Sequence, residues 1–130
     1  SVAACAATLV QKIAVEDTSA LLLQTADGAV GVIEACWSSP FSDNVIEIYG
    51  SAGAAFADYS RGELRYRTGG MRRWRGARFP DQTFQAEISH FLDCVQGLAA
   101  PLVTGEDGLR AMAIAEAAYR SVRRGSWEAP

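Results

Sequence analysis

Apolar residues in the first sixty positions either alternate with polar and small residues or run on without a break, a pattern typical of β-strands. This pattern predicts strands at 1–11, 18–25, 29–37, 44–50 and 54–59, with a weaker pair at 63–67 and 71–75. Asp27-Gly28 separates the second and third runs and predicts a tight hairpin turn. Because most of the intervening segments are short, the strands should pair largely antiparallel.

Residues 81–130 show helical spacing. A helix over 83–96 would place five apolar side chains on one stripe, namely Phe84, Ile88, Phe91, Leu92 and Val95. Thr104, followed three residues later by Asp107, predicts a capped second helix that ends at Gly125. Its buried arc is predicted as Ala111, Ala115, Ala118, Tyr119 and Val122.

Strands followed by helices indicate an α+β fold class. We predict a largely antiparallel (mixed), open-faced β-sheet of about six to eight strands, with two C-terminal helices packed on one face. Residues 1–130 should form a single α/β domain, a length sufficient to bury a core. The runs at 1–11 and 20–24 are apolar on both faces, so parts of both sheet faces should be covered and the chain should form a homo-oligomer through a sheet face.

Composition narrows the class of protein further. With 49% hydrophobic and 21% charged residues, the chain has an ordinary globular composition. Its three cysteines are widely spaced and form no metal-binding or disulfide pattern, and no apolar run reaches membrane-spanning length. These features predict a cytoplasmic protein with no membrane partner.

Few side chains suggest chemistry of their own. The only histidine, His90, lies at helical spacing from Glu87 and Cys94, but a carboxylate–histidine metal site needs a second such pair and none is present. The chain also lacks the Gly-x-Ser-x-Gly elbow and the Gly-x-Gly-x-x-Gly dinucleotide fingerprint. We therefore assign no catalytic, cofactor-binding or metal-binding residue.

Charge is distributed unevenly. Residues 61–78 hold seven of the eleven arginines and one acid, Glu63, which gives +6 there and −9 elsewhere. Interleaved aromatic residues resemble a nucleic-acid surface, but the net charge is −3 and the chain has a single lysine. A solvated, charged sheet edge that opposes aggregation is favoured over an anion or substrate contact, and nucleic acid is not an expected partner.

Several short segments, taken in order, resemble the C-terminal domain of the Gfo/Idh/MocA family of NAD(P)-dependent oxidoreductases. They are Val15-Glu-Asp-Thr, Asp27-Gly-Ala-Val-Gly-Val-Ile-Glu, Ile46-Glu-Ile-Tyr-Gly-Ser-Ala-Gly-Ala, Phe91 with Pro101, Gly105-Glu-Asp-Gly and 115–121. The resemblance covers nearly the whole chain. It implies the substrate-side and oligomerisation domain of an enzyme that acts on a sugar, polyol or related small hydroxy compound.

In that family a preceding Rossmann domain binds NAD or NADP and supplies a catalytic lysine, and a connecting helix supplies a histidine. The resemblance implies that these elements lie outside this chain, which then carries no cofactor and is not catalytic alone. The end of the third strand can face substrate in the family, which makes Trp37 and Ser38 candidate substrate-binding residues. Trp37 departs from the polar residue often found there, and either stacks on a sugar or fills a domain junction. The alternative function is a stand-alone, non-catalytic binding or dimerisation module.

Overall fold

The computed structural model describes residues 1–40, 43–69, 75–78 and 82–130, with only the backbone of Arg75. It contains seven strands and two helices: β1 Val2–Ala7, β2 Thr18–Gln24, β3 Val30–Cys36, β4 Val45–Gly50, β5 Gly53–Asp58, β6 Glu63–Thr68, β7 Arg75–Arg78, α1 Thr83–Val95 and α2 Gly105–Arg124. The chain divides into two compact units, Ser1–Ser39 with Leu102–Pro130, and Pro40–Pro101. The predicted α+β class, the open antiparallel architecture, the strand number and the order of elements are confirmed, and the seven strands are divided between two sheets where one was predicted.

In the first unit, β1, β2 and β3 form an antiparallel sheet in that order. The predicted hairpin joins β2 to β3, and Gly28 adopts a φ of 90°, where a side chain would be unfavourable. The backbone N–H of Thr25 donates to the Ala29 carbonyl, and the Ala29 N–H donates to the Thr25 hydroxyl. These bonds close the turn and fix the register of the two strands.

Helix α2 packs on β1 and buries the core of this unit. Val2, Ala117 and Ala118 are fully or almost fully buried, and they are surrounded by Ala4, Leu21, Leu23 and Ile114. Burying a side chain of the size of valine contributes about 1.5–3 kcal/mol, and the alanines of α2 allow the helix to approach the sheet closely.

The predicted buried arc of α2 is wrong in part. Ala118 is buried and Ala115 is half-buried, but Ala111, Tyr119 and Val122 are exposed. Ser121 takes the innermost position, one turn after Ala117. The Ser121 hydroxyl accepts a hydrogen bond from the Ala4 N–H at 2.9 Å and donates one to the Ser126 carbonyl at 2.7 Å. A serine can be buried here because its hydroxyl is satisfied on both sides.

Both ends of α2 follow the sequence prediction. Thr104 and Asp107 form a reciprocal capping box, and Gly125 ends the helix with a φ of 65°. The chain then returns to the sheet, where Val2 and Glu128 exchange two backbone hydrogen bonds of 2.8 Å. The Glu128 carboxylate contacts Arg124 at 3.0 Å, so the C-terminal segment is held to both α2 and β1.

The opening strand is shorter than predicted. Strand β1 ends at Ala7, whereas the prediction extended to position 11. The backbone N–H groups of residues 9–11 all donate to the Asp17 carboxylate, so they are not available to a neighbouring strand. A buried acid therefore competes with strand pairing in this segment.

In the second unit, β4, β5, β6 and β7 form an antiparallel sheet in sequence order. Gly53 lies opposite Thr68, and a Cβ at Gly53 would lie 2.2 Å from the Arg67 carbonyl oxygen, so the two backbones can pair only with glycine there. The last strand begins at Arg75 and pairs with β6 through Leu64 and Ala77. The predicted strand 71–75 meets it only at Arg75, and residues 71–74 lie outside the described residues.

The predicted apolar stripe of α1 is present, but none of the residues of this helix is buried. Phe84 and Val95 are among its exposed side chains. The helix ends at Val95, one residue before the predicted end, and the predicted stop Gly97 follows with a φ of 73°.

Candidate functional site

The two candidate substrate residues lie at the end of β3, in the first unit. The ladder between β2 and β3 ends at the pair formed by Thr18 and Cys36, and Trp37 and Ser38 follow directly in a bend. The Trp37 side chain is 78% exposed, whereas Ser38 is half-buried. The structure thus brings a large exposed aromatic group and a hydroxyl together, and we call these two residues the rim.

Asp17 holds the rim in place. The Trp37 N–H donates to the Asp17 backbone carbonyl at 2.8 Å, and the Ser38 hydroxyl donates to the Asp17 carboxylate at 3.2 Å. The Asp17 N–H in turn donates to the Ala7 carbonyl at 3.1 Å. Asp17, which directly precedes β2, therefore connects the end of β1 to the segment that follows β3.

The Asp17 carboxylate is charged although it is only 2% exposed. The N–H groups of Gln11, Leu9 and Val10 donate to it, and these hydrogen bonds hold the pKa of Asp17 well below its usual range. Three converging backbone dipoles replace the water that the carboxylate loses on burial. The lowered pKa keeps the carboxyl group ionised at neutral pH.

The hydrogen-bond network around Asp17 also reaches a thiol. The Thr18 hydroxyl donates to Asp17 at 3.2 Å, and its oxygen lies 3.5 Å from the sulfur of Cys36. Thr18 therefore contacts both the Asp17 carboxylate and the Cys36 thiol. Asp17, Thr18 and Cys36 thus form a short chain of side-chain contacts near the end of β3.

A cleft of about 160 Å³ lies in the same unit between β1, β2 and α2. Its lining is mostly apolar, with Ala4, Leu21, Ala115 and Val122, and includes the polar pair Glu16 and Tyr119. Pockets that enclose small organic ligands usually measure about 300–1,000 Å³. The cleft is smaller than that, and we do not place the substrate in it.

The arginine-rich segment forms part of the second unit. Arg65 lies over the Phe56 ring with 4.2 Å to its centre, Arg78 pairs with Glu63 at 3.5 Å and Arg61 pairs with Asp58 at 3.6 Å. Residues 70–74, which include Arg72, Arg73 and Trp74, lie outside the described residues. These three contacts all lie within the second unit, and the solvated, charged edge stays a prediction.

The histidine and cysteine of α1 touch each other, with 3.5 Å between Cys94 Sγ and His90 Nε2. Within the described ranges, no cluster of three or more histidine, cysteine, aspartate or glutamate side chains has a geometry that could hold a metal ion. No helix in the described part of the chain is both long and apolar enough to cross a bilayer.

A dinucleotide site does not fit the described residues. Every strand pair among them is antiparallel, whereas a nicotinamide dinucleotide binds where a parallel strand turns into a helix N-terminus. The N-terminus of α2 is filled by the Asp107 carboxylate, which accepts the N–H of Thr104 at 2.9 Å and would repel a phosphate.

Sequence reasoning singled out Trp37 and Ser38 but not Asp17. The segment Val15-Glu-Asp-Thr was used only as part of a resemblance. A further signal was available, because an aspartate just before a strand commonly captures nearby backbone N–H groups. What the sequence did not show is that its donors would come from residues 9–11, which were predicted to be strand.

Comparison with known proteins identifies the family. The model of the oxidoreductase family C-terminal alpha/beta domain, of the Gfo/Idh/MocA group, matches residues 1–129, so the chain belongs to this family. Inositol 2-dehydrogenase from Rhizobium meliloti is 31% identical over an alignment of 134 positions, which covers 94% of this chain and 40% of the relative.

Solved structures agree with this assignment. The WlbA dehydrogenase from Bordetella pertussis, in complex with NADH and UDP-GlcNAcA, matches 99% of this chain and 40% of its own with 25% identity and a TM-score of 0.73. A levoglucosan dehydrogenase, in complex with NADH and levoglucosan, matches 99% of this chain and 44% of its own with a TM-score of 0.86 and 22% identity, which shows the shared fold. The chain thus spans about two fifths of the length of each of these proteins.

Proposed function

We propose that residues 1–130 are the substrate-side and oligomerisation domain of an NAD(P)-dependent oxidoreductase that acts on a sugar, polyol or related hydroxy compound. Membership of the family supports the reaction class. The similarity to an inositol dehydrogenase and to a dehydrogenase bound to a sugar nucleotide supports a polyhydroxylated substrate. In the parent enzyme, this domain forms one wall of the substrate pocket and hydride transfer takes place on the cofactor domain.

The exposed rim is the observation that carries this proposal. The backbone of Trp37 is fixed by Asp17, and its indole ring is exposed. Such a ring can pack against the C–H face of a sugar. Ser38 uses its proton on Asp17, so its oxygen remains an acceptor for a substrate hydroxyl. An aromatic platform beside a hydroxyl acceptor suits a polyhydroxylated ligand.

The cofactor belongs to the remainder of the parent enzyme. NAD or NADP is supported by the NADH present in the WlbA relative. The antiparallel pairing of the described strands and the acid-capped N-terminus of α2 support a chain that binds no dinucleotide itself. On this proposal the domain is not catalytic alone.

The outer face of the first sheet is the proposed oligomerisation surface. Alternation along the strands places Ala3, Leu22, Val30 and Val32 on the face opposite to the one that α2 covers. Leu22, Val30 and Val32 are all exposed, and a second copy of the domain would bury them. The same face also supports the alternative function, in which the chain is a stand-alone dimerisation module without catalysis.

Kinetics of the full-length protein test the substrate role. Using the best substrate from a panel of polyols and aldoses, Trp37→Ala should raise the substrate KM about 3- to 10-fold, the effect of losing one aromatic contact, while the cofactor KM stays unchanged. Trp127→Ala is the matched control, because Trp127 is a second exposed tryptophan remote in sequence from the rim. An unchanged substrate KM with a lower Tm for Trp37→Ala would show that Trp37 packs against protein and would overturn the substrate role.

A further inference from the structure

We propose that Asp17 is a positioning residue, which sets the orientation of the Trp37–Ser38 rim and thereby the affinity for substrate. The inference rests on the proposed function of the rim. It assigns a role to a residue that does not itself touch substrate.

The carboxylate is shared between the rim and a loop. Oδ2 accepts the N–H groups of Val10 and Gln11 at 2.8 Å and the Ser38 hydroxyl at 3.2 Å. Oδ1 accepts the N–H of Leu9 at 2.9 Å and the Thr18 hydroxyl at 3.2 Å. Each carboxylate oxygen therefore accepts hydrogen bonds from at least one backbone N–H of the loop formed by residues 9–11 and from one hydroxyl. A movement of this loop would shift the carboxylate and with it Ser38.

The backbone of Asp17 fixes the other half of the rim. The Trp37 N–H donates to the Asp17 carbonyl just beyond the last strand pair, Thr18 with Cys36. Strand pairing ends there, and the Ser38 hydroxyl is then held by the carboxylate. Asp17 thus contacts both rim residues, through its main chain and its side chain respectively.

The site admits no substitute for a carboxylate. In Asp17→Asn, one oxygen becomes an NH₂ group, and at either position this donor would face a backbone N–H from residues 9–11. The side chain or the loop must then rotate away, and Ser38 loses its acceptor. Ser38→Ala removes both the link to the carboxylate and the proposed acceptor for a substrate hydroxyl, and Ser38→Thr keeps a hydroxyl there.

Asp58 provides a matched control. It is also a buried aspartate, 6% exposed, and accepts a backbone N–H from Arg61 at 3.0 Å. Asp58 is the last residue of β5, in the other compact unit, and takes part in none of the hydrogen bonds described for the rim. Asp58→Asn should lower the Tm without changing the kinetic constants.

The experiment measures kcat and KM of the full-length protein, with the same substrate panel, well below the Tm of every variant. Asp17→Asn and Ser38→Ala should each raise the substrate KM about 3- to 10-fold, the range for one lost hydrogen bond, with the cofactor KM unchanged. Ser38→Thr should restore the wild-type KM. The double variant Asp17→Asn/Ser38→Ala should be no worse than the more affected single variant, because both changes break the same link.

Each other outcome overturns a specific statement. If Trp37→Ala raises the substrate KM while Asp17→Asn and Ser38→Ala leave it unchanged, the rim binds substrate but Asp17 does not position it. If Trp37→Ala also has no effect, the proposed function of the rim fails. Additive effects in the double variant, or an effect of Asp17→Asn alone, would overturn a link through Ser38. Should Asp17→Asn fail to fold, Asp17→Glu, which keeps the charge but shifts the carboxylate by one methylene group, takes its place in the same comparison with Ser38→Ala.

Discussion

The Tyr119 hydroxyl donates a 2.5 Å hydrogen bond to the Glu16 carboxylate, and this contact joins α2 to the segment that leads into β2. Glu16 precedes Asp17, whose hydrogen bonds hold the end of β3. The two adjacent acids therefore attach one short segment to the helix on one side and to the rim on the other. This arrangement couples the packing of α2 to the position of the rim.

Removing that hydroxyl should have a pH-dependent effect on stability. The hydrogen bond from Tyr119 lowers the pKa of Glu16 from 4.5, so its stabilising contribution is present above pH 4.5 and is lost as the pH falls through the lowered value. The bond to Glu16 raises the pKa of Tyr119 from 10.0, so that contribution is present below pH 10 and is lost as the pH rises through the raised value. The difference in the free energy of unfolding between wild type and Tyr119→Phe should be largest between about pH 5 and 9.

Urea unfolding at acidic, neutral and alkaline pH measures this difference. Tyr49→Phe is the control, because Tyr49 also donates to a glutamate, Glu47 at 2.8 Å, but the two residues lie on one strand. Its bond joins no distant segments, so its loss should have the smaller effect at neutral pH. Equal effects of the two variants would show that the Glu16 contact does not hold α2 to the sheet.

Ser121→Ala should destabilise the first unit by about 1–3 kcal/mol, since it leaves the partly buried N–H of Ala4 without its acceptor. The control is Ser51→Ala, in the exposed turn between β4 and β5. Chemical denaturation monitored by circular dichroism gives both values. A loss within 0.5 kcal/mol, about the size usual for surface substitutions, would mean that the N–H of Ala4 finds another partner.

Gly53→Ala should be strongly destabilising and Gly50→Ala should not, although both glycines flank the same turn. A Cβ at Gly53 meets the Arg67 carbonyl oxygen at 2.2 Å, whereas at Gly50 the nearest atom is 3.9 Å away. We expect a loss of about 1–3 kcal/mol for Gly53→Ala, because the backbones of β5 and β6 must separate. Thermal unfolding of the two variants is a direct comparison, and similar Tm values would show that the sheet opens there at little cost.

The sequence pattern was sufficient to predict features whose geometry depends only on adjacent residues. The hairpin at Gly28, the capping box of Thr104 and the stop at Gly125 were predicted because their geometry depends on adjacent residues. The innermost position of Ser121 was not predicted, because its partners Ala4 and Ser126 come from other segments. Local spacing alone cannot reveal that a polar residue will be satisfied by distant ones.

The candidate site divides in the same way. Trp37 and Ser38 were found from their place at the end of a predicted strand together with a family resemblance, and their role stays a prediction. The connection to Asp17 spans twenty-one residues and depends on the register of β2 and β3. It became visible only when the pairing of Thr18 with Cys36 placed the two segments side by side.

The polypeptide 1–130 should not bind NAD(H). A dinucleotide site needs a parallel strand that leads into a helix N-terminus, and the described strands pair only antiparallel. Titration calorimetry of the folded polypeptide with NADH and NADPH should show no heat of binding at micromolar concentrations. Saturable micromolar binding would contradict the assignment of the cofactor to the remainder of the parent enzyme.

The polypeptide should also self-associate through the outer face of its first sheet. Ala3, Leu22 and Val32 stand in one row across β1, β2 and β3, and Leu22 and Val32 are exposed. Exposed apolar patches of this kind commonly mark interfaces, and a two-fold dimer is the commonest result. Sedimentation equilibrium at micromolar concentration should report a dimer or larger for wild type and a monomer for Val32→Lys, because a lysine there would bury a charge in the interface.

The control is Leu109→Lys, a similar change on the exposed surface of α2, which should leave the assembly intact. A monomeric wild type would show that this row is not an interface, and loss of the dimer in the control alone would move the interface to α2.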